Sequence, residues 1–181
     1  MLEIQTERLC IMSIDINDFS KFADLEGRLE SYQYENSYPL SLEDSKRIFD
    51  KFITDTNTFP NSGSAMLSII NRQDLFVGEI HIKCNWTEMK EWEIGFKLLK
   101  EFWNKGYATE AVKAVAIYLF EQIHIHKLVA FANSENMKSE HVLQRIGMKK
   151  EGHLRESRIV NGEYKDELVY AMLKCDLTVN K

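Results

Sequence analysis

The segment Trp103-Asn104-Lys105-Gly106-Tyr107-Ala108-Thr109-Glu110-Ala111 constrains this chain more than any other. Before it, Trp92, Ile94, Phe96 and Leu98 alternate with Glu91, Glu93, Gly95 and Lys97, the period of two that marks a half-buried strand. After it, Ala108, Ala111, Val112, Val115 and Leu119 recur at helical spacing. A strand must therefore turn into a helix across Gly106, and the small residues at 106 and 108 leave space for a ligand beside the backbone. A helix start presents free amides and the positive end of its dipole, so such a turn can hold a phosphate. Many strand-to-helix turns contain a glycine and bind nothing, so this turn alone leaves both readings open. The full GxGxxG and GxxxxGK[ST] fingerprints are absent, which argues against a nucleotide-binding oxidoreductase and a P-loop.

Periodicity and breakers place the other elements around this junction. A first strand reads from Cys10 to Ile14, and Asp15 or Asn17 can cap a helix through Phe19, Phe22 and Leu25. An aromatic and polar loop follows over 31–39, and Ser41-Leu42-Glu43-Asp44 opens a second helix with Ile48, Phe49 and Phe52 inward. Strands are expected over 65–70 and 76–82, then the strand ending at Leu98 and the helix from Gly106. Lys127 to Ala132 reads as a buried strand, and a short helix from Ser139 turns Val142, Leu143 and Ile146 inward before Gly147 stops it. A terminal pair over 152–160 and 166–173 is joined around Asn161-Gly162, a strong hairpin dipeptide. The order β-αα-βββ-α-β-α-ββ specifies an α/β fold with a sheet of mixed direction.

At 181 residues with 44% hydrophobic content, the chain suits one soluble domain spanning 1–181. Its longest apolar run, 114–120, falls short of a membrane span and lies within an amphipathic helix. The start Met1-Leu2-Glu3-Ile4-Gln5 lacks the layout of a signal peptide. Cys10, Cys84 and Cys175 are scattered without metal-ligand spacing, and reduced thiols in a cytoplasm are the expectation. His81, His124, His126, His141 and His153 show no metal spacing either, so no metal is expected. A net charge of −5 argues against nucleic-acid binding, which needs a basic surface. No feature specifies an oligomeric state.

With its segments taken in order, the chain resembles the GNAT acyltransferase superfamily and its RimJ/RimL-like branch. The matching residues are Glu93-Ile94-Gly95-Phe96, then Lys105-Gly106-Tyr107-Ala108-Thr109-Glu110-Ala111, then Asn136, Ser139, Leu143 and Gly147. Thr6-Glu7-Arg8-Leu9, Lys150-Glu151-Gly152 and Asn161-Gly162 are similar to that branch as well. The resemblance extends from about Thr6 to Leu173 and implies a GNAT-like mixed central sheet with helices on both faces. It also implies that the strands at 91–98 and 127–132 splay apart around acetyl-CoA.

The same resemblance implies roles for individual residues. The CoA pyrophosphate would sit on backbone amides of Asn104, Lys105, Gly106, Tyr107, Ala108 and Thr109. The pantetheine arm would lie along Phe96, Lys97 and Leu98 as an added strand would, with Asn133 and Asn136 reaching its amides. The superfamily often has Gln or Arg three residues before Gly106, where this chain has Trp103, and a general-acid tyrosine at the position of Leu143. Leu143 donates no proton, and Ser139 is the replacement acid; as a helix N-cap it has an equal claim. Glu93 is the first candidate for the general base and reads equally well as a solvent-facing strand residue. Glu79, Tyr34 and Tyr38 are lesser candidates.

The function implied is direct acetyl transfer from acetyl-CoA to a primary amine, without a covalent enzyme intermediate. Holding a lysine-type amine (pKa ~10.4) neutral at pH 7 costs about 4.6 kcal/mol, against about 1.1 for an α-amine near ~7.8. A protein or peptide N-terminus is therefore the expected acceptor, with small polyamines or antibiotics as the alternative. Acceptor choice would lie with residues 18–39 and 161–165. A non-catalytic acyl-CoA-binding module is the reading from a different class, kept open by Leu143.

Overall fold

The alternating segments assemble into one eight-stranded sheet, ordered β1-β2-β3-β4-β5-β6-β8-β7. A computed structural model describes residues 2–35 and 37–180; Met1, Lys181 and Asn36, a member of the aromatic loop, lie outside the described residues. The strands are β1 (Glu3–Gln5), β2 (Leu9–Ser13), β3 (Ser64–Asn71), β4 (Phe76–Trp86), β5 (Glu91–Leu98), β6 (Lys127–Asn133), β7 (Lys149–Val160) and β8 (Glu163–Leu173). The α-helices are α1 (Phe19–Glu26), α2 (Leu42–Asn57), α3 (Tyr107–Tyr118) and α4 (Met137–Arg145). The mixed α/β sheet expected from the sequence is present.

Every neighbouring pair is antiparallel except β5 and β6. A parallel pair needs a crossover, and α3 supplies it. The β5–β6 ladder sets Glu91, Trp92 and Glu93 against Lys127, Leu128 and Val129 and then stops. Both strands continue past that point, to Leu98 and Asn133. They part inside the sheet, and the opening between them positions the site.

Local signals explain the boundaries. The Asp15 carboxylate accepts from the Asn17 amide and Asp18 reciprocates, opening the 3-10 turn Ile16–Asp18 that leads into α1. Ser41 Oγ accepts from the Asp44 amide at 3.1 Å and starts α2. Asn161 and Gly162 both have positive φ, 52° and 82°, as a hairpin turn of the favoured hand requires. Two differences from the sequence reading stand out. β1 was not expected, since three residues are too few for a period to register. The last α-helix, α4, begins at Met137, not Ser139, because Asn136 caps it by accepting from the Ser139 amide at 3.1 Å; Ser139 is a first-turn residue and not the N-cap. The β7–β8 ladder also slips between Lys150 and Gly152 and between Leu154 and Arg158, which blurs its alternation.

Helices cover both faces. Ile80, Ile82 and Ile94 pack with Val112 and Val115 of α3, with Leu119 in the helical turn that follows it, and with Leu143 of α4. On the other face Met66 packs with Ile14, Phe22 and Phe49 beneath α1 and α2. Ring centroids of Phe19 and Phe22 lie 5.4 and 5.3 Å from Phe49, so Phe49 ties α2 to α1 and both to β3. No helix among the described residues is long and apolar enough to cross a membrane. Phe49 is fully buried, and Phe49→Ala is expected to destabilise the protein by about 3–5 kcal/mol, read as a lower urea midpoint.

Candidate active site

The sheet opening continues into a cavity of about 340 Å³, a volume suited to part of an extended ligand. One wall is the free edge of β5, residues 94–98; the opposite wall is residues 130–133 of β6. Its far end is closed by the turn before α3 and the first turns of α3 and α4.

The turn has the shape of an anion cradle. Asn104 and Gly106 have φ of 60° and 80°, with Lys105 between them, and such alternation curls successive amides toward one concavity. Gly106 is the N-cap of α3 and no side chain caps that helix, so its first amides are left for a ligand. Thr109 adds a buried hydroxyl that has no hydrogen-bond partner among the described residues. A Cβ on Gly106 would come within 3.2 Å of Arg8 Nη2.

What holds the turn in place comes from far away in sequence. Arg8 Nη1 donates to the Lys105 carbonyl at 2.9 Å, and Arg8 Nε pairs with Glu110 Oε2 at 2.6 Å. Glu110 Oε1 accepts from the Thr6 hydroxyl at 2.6 Å and the Arg8 amide at 2.9 Å. Burial pushes the Glu110 carboxyl up, but Thr6 and Arg8 outweigh it and hold it below its ordinary value. The Arg8 guanidinium also lies 4.8 Å from the Tyr107 ring centroid. Sequence reasoning assigned Arg8 and Glu110 no role; the resemblance of Thr6-Glu7-Arg8-Leu9 was the one signal. Trp103 closes the end of β5 by donating from Nε1 to the Leu98 carbonyl at 2.8 Å, and the Lys138 ammonium stands 4.2 Å over its ring. A cation thus sits beside the cradle although the polar residue common at position 103 is missing.

Of the residues singled out in the sequence, Phe96, Lys97, Leu98, Asn104, Gly106, Tyr107, Ala108, Thr109, Asn133, Asn136 and Ser139 all line this cavity. Lys105 does not; its carbonyl is held by Arg8. Asn133 Oδ1 accepts from the Glu135 amide at 2.9 Å, and its Nδ2 donates to the Tyr34 carbonyl at 3.4 Å. The Asn136 side-chain oxygen is used by the α4 cap. The Ser139 hydroxyl has no hydrogen-bond partner among the described residues, and one turn on, Leu143 is fully buried.

Glu93 is not among the lining residues. It sits in the paired part of β5, before the strands part, and its Oε2 accepts from Asn85 Nδ2 at 3.0 Å. It therefore lies outside the cavity wall, on the same face of β5 as Gly95 and Lys97. Tyr38 is exposed, whereas Glu30, Tyr34 and Glu35 line the wall on the α1 side. Arg158 bridges that wall to the terminal hairpin, pairing with Glu35 at 3.4 Å and with Glu167. A Cβ on Gly95 would meet nothing within 4 Å, so the α1 face of β5 is open where the strands part.

Comparison with known proteins agrees with this geometry. Residues 8–149 match the family described as the acetyltransferase (GNAT) domain. The uncharacterized N-acetyltransferase YnaD of Bacillus subtilis is 28% identical over 174 residues, 96% of this chain and 98% of its own length. The RimL ribosomal L7/L12 alpha-N-protein acetyltransferase, solved in complex with coenzyme A, superposes with a TM-score of 0.86 at 19% identity over 95% of this chain and 98% of its own. The spermidine N-acetyltransferase of Vibrio cholerae, solved with CoA and spermine, gives 0.83 at 20% identity over 95% and 99%. At those identities the two structures establish the fold.

Below the cavity, Glu79 is 7% exposed. Burial, then the nearby Glu26 charge, pushes its carboxyl up to about 8, with Lys97 pulling the other way. Between pH 4.5 and 8 the folded chain therefore keeps a proton that the unfolded chain has released, so stability falls as pH rises through that window. Glu79→Gln is expected to flatten that slope, seen as a urea midpoint that gains on wild type between pH 5 and pH 8.

Proposed function

Because the chain belongs to the GNAT acetyltransferase family, we propose that it transfers an acetyl group from acetyl-CoA directly to a primary amine, the α-amine of a protein or peptide N-terminus, in the cytoplasm. One coincidence carries the reading: an uncapped helix start and an unpaired strand edge face the same cavity, one suited to a pyrophosphate and the other to an amide-bearing arm.

The residues present fit that donor. Amides from 104 to 109 would hold the pyrophosphate, with the orphaned Thr109 hydroxyl and the Lys138 ammonium at hand. The β5 edge at Phe96, Lys97 and Leu98 offers backbone groups to which the pantetheine arm would pair as an added strand. Asn136 would use its NH₂, and Asn133 what its two wall contacts leave. Acetyl-CoA supplies an activated thioester carbonyl. The chain's own work is to hold that carbonyl beside Gly95, to admit a neutral amine from the open face, and to return a proton to the departing sulfur. Ser139, on the cavity wall, would serve the last task, and a thiol of pKa near ~8.5 needs no strong acid.

A polyamine acceptor is the second reading, favoured by the Glu30 and Glu35 carboxylates on the cavity wall. Thiol release with an alanine-initiated peptide and with spermidine separates the two: turnover confined to spermidine sinks the N-terminal assignment.

Gly106→Val forces a β-branched side chain to φ of 80° and toward Arg8. It is expected to weaken acetyl-CoA binding at least about tenfold in calorimetry, since affinity rests on the shape of the amide cradle. Ser139→Ala is expected to lower kcat about a hundredfold with little change in acetyl-CoA affinity. An undiminished kcat would leave Ser139 as wall only.

A further inference from the structure

Acetyl transfer as read above leaves one buried cluster unused. Side chains alternate along β5, so Lys97 points away from the α3 core toward α1. Its Nζ lies 2.5 Å from Glu26 Oε1 at the C-terminal end of α1. The Tyr32 hydroxyl donates to the other oxygen of Glu26, and the Lys97 ammonium stands 4.4 Å from the Tyr32 ring centroid. Glu79 faces Lys97 across the β4–β5 ladder and is within hydrogen-bonding reach of Glu26. Two carboxyl groups and one ammonium thus share a site from which water is largely excluded.

The charge arithmetic is informative. Were both carboxyls ionised, one negative charge would be buried without a partner, which is costly. The other groups facing Glu79 do not supply that partner. Ser68, opposite it on β3, donates to Asp18 at 3.2 Å, and Asp18 is itself paired with Lys21 at 2.8 Å. Burial and hydrogen bonding to Glu26 push the Tyr32 hydroxyl up, so it stays a donor. At neutral pH one proton therefore rests on Glu79, and the cluster is uncharged overall. Of the four groups at its centre, Lys97 alone lines the cavity; Glu26, Glu79 and Tyr32 lie behind it.

We propose that Lys97 and Glu26 form the proton relay that deprotonates the acceptor amine, with Glu79 as the positioning residue that sets the relay's charge. This rests on the acetyltransferase reading. As the new C–N bond forms, the amine nitrogen becomes cationic. Its N–H bond breaks and the proton passes to Lys97 Nζ while a proton of Lys97 passes to Glu26 Oε1. Lys97 ends as it began and Glu26 ends as a neutral acid; the C–S bond breaks to release a thiolate, which takes the Ser139 hydroxyl proton as a cavity water gives its own proton to Ser139, and the hydroxide so formed is neutralised by the proton that leaves Glu26. Return of the Glu26 proton to water through Lys97 resets the site. An arginine at 97 would make the same ion pair but cannot give up a proton, so lysine is the residue type the relay requires.

The test compares wild type, Lys97→Arg and Glu79→Gln by thiol release, with an alanine-initiated peptide and spermidine as acceptors and calorimetry for acetyl-CoA. Lys97→Arg is expected to lose about a hundredfold in kcat while acetyl-CoA affinity stays within about threefold. Wild-type turnover in Lys97→Arg overturns the relay, since charge alone would then suffice. Glu79→Gln cannot ionise. The ratio of wild-type to variant kcat, in which the acceptor's own ionisation cancels, should rise as pH passes through about 8. A flat ratio leaves Glu79 a packing residue and overturns its part. A wild type that binds acetyl-CoA but acetylates neither probe overturns the acetyltransferase reading itself, which the variants alone would not do.

Discussion

Everything in this molecule that bears on function follows from the loss of one ladder. After Glu93 and Val129, β5 and β6 cease to bond to each other although each strand runs on. Unpaired backbone amides and carbonyls in the middle of a sheet are costly to leave dry, so such an opening persists only if its edges stay wet or meet a ligand. The flanking pairs make it permanent: β4 holds the other edge of β5, and β8 holds the other edge of β6 over its whole length. The gap is built by neighbours that stay in register.

Around that gap the fold keeps two chemistries apart by strand alternation. Phe96 and Leu98 face the α3 side, where the cradle of Gly106 and the α3 amides lies, while Lys97 faces α1 and its carboxylates. Cationic and anionic groups can thus stand within one strand's width without cancelling each other. The Arg8–Glu110 pair does a different job. It joins the β1–β2 connection to the cradle and fixes a turn whose two left-handed residues would otherwise have several shapes open to them.

Much of this was legible in the sequence because the signals were local. The alternation at 91–98, the helical spacing from Ala108 and the turn at Asn161-Gly162 depend on near neighbours, and all three appear as read. The cavity wall at Asn133, Asn136 and Ser139 followed from ordered motifs. What escaped was non-local. Glu26 and Lys97 are far apart in sequence, and only the packing of α1 on β5 brings them together. Arg8 and Glu110 meet in the same way. Glu93 illustrates the converse: its strand was read correctly, but the residue at which two strands part is a property of the pair. Ser139 was displaced as cap by Asn136 because two residues of similar capping preference compete three positions apart, and backbone geometry selects between them.

Strand order carries a consequence for how the protein is made. β8 lies between β6 and β7 in the sheet, so the wall that carries Asn133 has no partner on its outer side until the final strand is added. On a ribosome, the sheet from β1 to β5 can pair as it emerges and β6 can join it through residues 127–129, but residues 130–133 find a strand partner only when residues 163–173 leave the exit tunnel. The nascent chain therefore holds one bare strand edge beside a half-formed cavity until β8 has emerged, and the second wall of the cavity is fixed only then.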